Sequence, residues 1–219
     1  MRQRPIIFSG PMVRAIRAGW KSQTRRILKP QPPLWARTGS ALPADPPDDC
    51  AALRFRWRPP QGAPTCDWPE QPLPCPYGRP GDQLWVKETW RTDDPGGGLV
   101  TYRADVVSGD EPDEAKWNSS LFMPRWASRF ALEVVAVRTE PLSALSEDDA
   151  RAEGVPRDGA PIDCYREIWN RINGSGSWHR DPWVWVVEFR LVQAAGEAAA
   201  SSMVASSGRG EAATQRKRA

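Results

Sequence analysis

Fourteen of the chain's 23 prolines fall between residues 30 and 82. Proline fixes its own φ, removes a backbone donor and biases the residue before it away from helix. A stretch that rich in proline supports neither a long helix nor a central strand. Residues 30–82 therefore read as a long insertion over the surface, and the folded body must come from what lies before and after it. Inside the insertion Leu53-Arg54-Phe55-Arg56-Trp57-Arg58 alternates strictly, with one apolar and one all-arginine face. This predicts a strand, either at a sheet edge with a solvated basic face or against a run of unpaired bases.

The flanking segments carry ordinary element signals. Ile6-Ile7-Phe8 is a short apolar strand that stops at Ser9-Gly10-Pro11. Pro11 opens a helix with Met12, Val13 and Ile16 on one face, and Gly19 stops it. Strands are expected over Gln83–Trp90, Val100–Arg103, Phe130–Val137 and Trp183–Val192. Ser146 and Asp149 have capping-box spacing for a short helix ending at Gly154. Pro161 starts a helix with Ile162, Tyr165, Ile168, Trp169 and Ile172 on one side, closed by Asn173-Gly174. Connections are too irregular for repeated βαβ units, so the fold class is α+β, with a small, curved or barrel-like sheet. From Gln193 onward the chain turns to Ala, Ser, Gly and scattered Arg and Lys. Residues 193–219 are expected to be a disordered tail.

Charge is unevenly spread. Residues 1–44 hold nine basic residues and no acidic one, whereas residues 45–192 hold 17 basic and 25 acidic. A positive end on an acidic body suggests an anionic ligand of the nucleotide or nucleic-acid class, or a solvated basic helix face. The longest apolar runs are only a few residues, which argues against a membrane span, and Met1-Arg2-Gln3-Arg4-Pro5 is no secretion signal. A cytoplasmic location is expected.

Familiar catalytic signatures are missing. There is no phosphate-binding glycine loop or nucleophile elbow, and His179 is the only histidine. Cys50, Cys66 and Cys75 lack a close pair, so free thiols are expected over a structural zinc, and Cys164 completes the four. What remains is a basic–hydroxyl pair and one carboxylate on an apolar face. Lys21 and Thr24 are three apart, so a helical or tight turn would place both on one side. Arg25 and Arg26 would supply charge that lowers the lysine's pKa. The same spacing also suits an exposed loop with a capping threonine. Glu88 shares a strand face with Leu84, Val86 and Trp90. It needs either a structural arginine partner or a pocket in which it meets Lys21.

Gly19-x-Lys21-x-x-x-x-Arg26 and the strand Leu84-Trp85-Val86-Lys87-Glu88 resemble the ASCH domain of the PUA-like superfamily. Ile7–Ile16, Cys75–Asp82, Tyr102–Asp105, Met123–Arg129 and Trp183–Val186 are most similar to phage and prophage members. Phe122 stands where a histidine is expected. The resemblance spans about residues 5–192. It implies a PUA-like small β-barrel with flanking helices over residues 1–192, with a cleft for a base or nucleoside. It also implies an N4-acetylcytidine amidohydrolase site of Lys21, Thr24 and Glu88, with Arg26 at the remaining polar position of the motif. In that reading Trp90 and Tyr102 are candidates to stack on the base, no metal or cofactor is required, and the partner is a modified nucleoside or nucleotide. The rival expectation is a module that holds a modified base, RNA or DNA without turnover. The insertion would cover the cleft or bind a partner.

Overall fold

The computed structural model describes residues 1–32, 41–43, 54–57, 73–92, 99–106, 116–156 and 159–194. Strand β1 (Gln3–Ile7) leads into helix α1 (Gly10–Arg17), which has Pro11 in its first turn and buries Val13, Ala15 and Ile16. Gly19 follows at φ +75°, the left-handed conformation that ends the helix. The next segment is not a helical turn. It is strand β2 (Gln23–Ile27), paired antiparallel with a C-terminal strand. The basic run was expected to turn, but sheet pairing sets its conformation instead.

Short strands β3 (Ala41–Pro43), β4 (Arg54–Trp57) and β5 (Leu73–Pro74) form a separate three-stranded sheet in the order β3-β4-β5. The alternating segment is therefore a strand, but the central one of its sheet rather than an edge. The chain continues through β6 (Gln83–Lys87), β7 (Trp90–Thr92), β8 (Val100–Tyr102) and the long β9 (Phe130–Pro141). Helices α2 (Glu147–Ala152) and α3 (Pro161–Asn173) precede β10 (Trp183–Ala194). β10 runs two residues past the expected domain limit. Cys50, Cys66 and residues 195–219 lie outside the described residues, while Cys75 and Cys164 are free thiols.

The main sheet has the order β1-β6-β9-β10-β2, with β1 and β6 parallel and the other pairs antiparallel. The protein is thus α+β with a core built mostly on sheet. Among the described residues no strand pairing closes the sheet into a barrel. Its two edges nevertheless curl toward one another, because the Arg26 guanidinium on β2 donates to the Ile7 carbonyl on β1 at 2.5 Å.

The two sheet faces bury different clusters. Phe8, Leu84, Val86, Leu132, Val134, Trp185, Val187 and Phe189 pack on one. Val184 and Val186 on the other face meet Leu142, Ala150, Tyr165 and Trp169 from the α2–α3 side. Among the described residues no helix is long and apolar enough to cross a membrane.

Helix α2 carries the expected capping box. The Ser146 hydroxyl accepts from the Asp149 N–H, and the Asp149 carboxylate accepts from the Ser146 N–H. Gly154 ends this helix at φ +83°. A Cβ built there would lie 2.9 Å from Lys21 Cβ and 3.0 Å from Ala15 Cβ. α1, the start of β2 and the end of α2 converge on this one residue. Gly154→Ala is expected to destabilise the protein by about 2–4 kcal/mol through left-handed strain and overpacking. The shift in urea midpoint at unchanged slope measures it.

Candidate functional site

Lys21 is placed by three elements. Its N–H donates to Ala15 O at the end of α1, and its backbone forms a single β-bridge with Glu153 at the end of α2. The neighbouring Ser22 N–H donates to Ala152 O, and Ser22 O accepts from Phe189 on β10. The Lys21 side chain, 0% exposed, donates its three protons to Gln23 O (2.8 Å), Glu153 O (2.7 Å) and Glu153 Oε2 (2.8 Å). An ammonium with three acceptors in fixed positions is a fully satisfied buried charge. Burial pulls the Lys21 pKa below its ordinary value, and the nearby Arg26 and Arg25 charges act the same way. The Glu153 carboxylate opposes them.

Glu153 is the carboxylate that meets Lys21. It also sits 3.5 Å from Arg25, whose buried guanidinium reaches Glu140 at 2.5 Å and Asp149 at 3.2 Å. Arg138 extends the network to Glu140, Asp149 and Glu188. Tyr165 faces this group. Burial and then the Glu153 charge push its phenol well above its ordinary pKa, so it stays protonated and able to donate.

Thr24 is buried and lines a cavity of about 50 Å³ together with Arg26, Glu153 and Tyr165. That space suits a water molecule or two. No hydrogen bond joins Thr24 to Lys21 among the described residues. On β2, Thr24 and Arg26 share a face. The Lys21 ammonium lies 5.5 Å and the Arg26 guanidinium 5.4 Å from the centre of the Phe8 ring. The Arg26 Nε is buried with no partner among the described residues.

The cavity adjoins a groove of about 850 Å³ between α1 and α3, with which it shares the lining residues Met12, Glu153, Tyr165, Ile168 and Ile172. Such a volume holds a ligand of nucleoside size or larger. Ile172, expected on the buried side of α3, is 57% exposed in this groove, and Trp20, 51% exposed, lines it too. Arg14, Arg17 and Arg171 line it as well.

Glu88 is elsewhere. It lies just past β6, buried on the expected face with Leu84, Val86 and Trp90, but its partner is Arg129. The guanidinium grips both carboxylate oxygens, Nε to Oε1 at 2.8 Å and Nη2 to Oε2 at 3.0 Å. Arg129 continues to Asp105, which pairs with Arg17 of α1 at 2.7 Å. Burial raises the Glu88 pKa, and Arg129 offsets part of that rise. Of the two partners considered for Glu88, the structure supplies the arginine.

Trp90 and Tyr102 belong to this second cluster. Arg129 stacks 3.9 Å from the Tyr102 ring centre, and Trp90 packs edge-on against Trp126 at 5.8 Å. Neither lines the cavity or the groove. Lys21, Thr24, Arg26 and Glu153 thus form one constellation, and Glu88, Trp90, Tyr102 and Arg129 another. The reading of the sequence missed Glu153 and Trp20. Glu153 had a signal: a carboxylate at a helix C-terminus opposes the helix dipole and calls for a cation. Among the described residues no group of His, Cys, Asp and Glu is arranged to hold a metal ion.

Comparison of the chain with family models, curated proteins and solved structures finds no match.

The network also sets a pH response. Burial works to raise the Asp149 pKa, but hydrogen bonds from Gln23 and Ser146 and the Arg25 charge outweigh it and bring the carboxyl to about 2. Its folded pKa is below the unfolded value of about 3.9, so its stabilisation is complete above that pH and lost as pH falls toward 2. The stability difference between the wild type and Asp149→Asn is expected to be flat above about pH 4 and to shrink below it. Urea titrations at stepped pH read this directly.

Proposed function

We propose that this chain is an ASCH-type, PUA-like protein that hydrolyses the acyl group from the exocyclic N4 amine of a modified cytosine. The carboxylate of its site is Glu153 rather than Glu88. The observation that carries this reading is the buried Lys21–Glu153 pair, 2.8 Å apart, with Glu153 and Thr24 lining one small cavity at the foot of the groove. The curled sheet, with Arg26 tying β2 to β1, supports the barrel-like part of the resemblance.

The chemistry follows from these groups. A threonine hydroxyl is a weak nucleophile until a base takes its proton. Lys21 becomes that base when one of its protons passes to Glu153, a transfer favoured by burial. Thr24 Oγ1 then gives its proton to Lys21 Nζ and attacks the amide carbonyl carbon. Arg26, on the same strand face, supplies positive charge for the developing oxyanion. Collapse breaks the carbon–nitrogen bond, Lys21 protonates the leaving amine, and an acyl-threonine ester remains. Water attacks the ester and gives a proton to Lys21. The threonine oxygen takes that proton back as it leaves. One water is consumed; a carboxylic acid and the free cytosine amine are released. Trp20 on the groove wall offers a surface for the base.

A second reading rests on a separate observation. All three Lys21 protons are engaged in the resting geometry, so the nitrogen has no lone pair to offer. A groove that holds a modified base without turnover would keep that arrangement throughout.

The assay is release of cytidine from N4-acetylcytidine, followed by chromatography, with nucleoside binding measured in parallel. Thr24→Ala and Glu153→Gln are expected to lose about 100-fold or more in turnover, whereas Glu88→Gln, once shown to be folded, stays within about tenfold. Binding without turnover in the wild type selects the second reading. Loss in Glu88→Gln alone would return the carboxylate role to Glu88.

A further inference from the structure

Hydrogen-bonding groups around the small cavity that Thr24 lines are out of balance. Arg25, Arg26 and Trp169 line it as well, and each has a buried side-chain N–H with no partner among the described residues. These are Nε of both arginines and Nε1 of the indole. Trp169 is 3% exposed, and Nε1 is the only polar atom of its side chain. Among the described residues no cavity-lining side chain has a buried acceptor in the same state. A buried donor left unmatched is costly, and three around one space call for an acceptor between them.

Charge points the same way. Two arginines and one carboxylate, Glu153, line the cavity. Glu153 is already matched by the Lys21 ammonium at 2.8 Å and Arg25 at 3.5 Å, and Tyr165 donates to it too. Arg25 is answered by Glu140 and Asp149. Arg26 is held differently: its Nη2 donates to the Ile7 carbonyl and its guanidinium lies over the Phe8 ring, with no carboxylate on it among the described residues. Water does not complete such an arrangement, because each molecule brings two protons that need acceptors of their own. A carboxylate brings lone pairs and one negative charge.

We infer that this cavity binds a small monocarboxylate, formate or acetate, whose oxygens accept from the Arg26 and Trp169 N–H groups. Size sets the upper limit. A water molecule takes about 30 Å³ in the liquid, so a cavity of about 50 Å³ admits roughly three or four heavy atoms. Ile27 and Ile168 line the remainder, which suits a methyl group rather than the further oxygens of phosphate or bicarbonate. Because Thr24 lines the same space, the site deepens the hydrolase reading: the anion is the acid released from the acyl-threonine. That origin rests on the hydrolase reading, whereas the binding of the anion does not.

The test uses the full chain and sodium acetate, read by titration calorimetry and by the urea midpoint, with sodium chloride at equal ionic strength as reference. A ligand of so few heavy atoms is expected to bind with a Kd between about 0.1 and 10 mM. Acetate at about 100 mM then raises the urea midpoint above its value in chloride. Formate is expected to act alike, whereas pivalate, too bulky, and acetamide, uncharged, give no shift. Trp169→Phe keeps a ring and removes the N–H, and is expected to weaken acetate about fivefold; Arg26→Gln weakens it about tenfold or more. Arg171→Gln, in the open groove, leaves the affinity unchanged. Far-ultraviolet circular dichroism checks that each variant is folded, and the pivalate and acetamide arms need no variant. Equal midpoints in acetate and chloride, an adventitious ion only, overturn the inference. So does equal binding of pivalate or acetamide, or a Kd that neither Trp169→Phe nor Arg26→Gln alters. Acetate binding with no release of cytidine keeps the site and removes the hydrolase reading; release of cytidine with no acetate binding does the reverse.

Discussion

A lysine ammonium with no exposed surface, held by one carboxylate and two carbonyls, is the constraint around which this protein is arranged. Taking such a charge from water is costly, and removing one partner of a buried pair typically costs about 3–5 kcal/mol. The end of α2 must therefore stay where Glu153 reaches Lys21. Gly154 permits this by lacking a Cβ, and the capping box holds the other end of the same six-residue helix. Arg25 and Arg138 link the pair onward to β9 and β10. Position, charge and backbone conformation are thus set together, and Thr24 is carried into place by the strand between them.

A second ionic chain performs a parallel task on the other side of α1. Glu88, Arg129, Asp105 and Arg17 connect the end of β6 to the helix through alternating charges. Here the arginine does more than neutralise. It stacks on Tyr102 and lies 4.9 Å from the centre of Phe130, so the ion pair is also packed. α1 is held between two charge networks, which defines the near wall of the groove.

Local signals in the sequence were readable because they act over a few residues. The Ser146–Asp149 cap, the glycine stops at Gly19, Gly154 and Gly174, and the alternation that buries Glu88 all appear in the fold. What could not be read were partnerships between distant residues. Glu88 meets Arg129 across 41 positions, and Lys21 meets Glu153 across 132. Burial of a carboxylate demands a cation but does not say which. The Lys21–Arg26 run illustrates the other failure: its spacing suits a turn, yet β10 imposes extended pairing from more than 150 residues away. Ile172 is apolar at the right helical interval but faces an open groove, and periodicity alone cannot separate a core from a binding wall.

β2 is the outer strand of its sheet, and an outer strand is a ready template for a neighbouring chain. At its centre stands Arg25, whose side chain is turned wholly inward among carboxylates. A strand that must keep a buried guanidinium beside its anions cannot shift its register on β10 without parting that charge from its partners. The arginine that completes the internal charge balance therefore also fixes the register of the outermost strand.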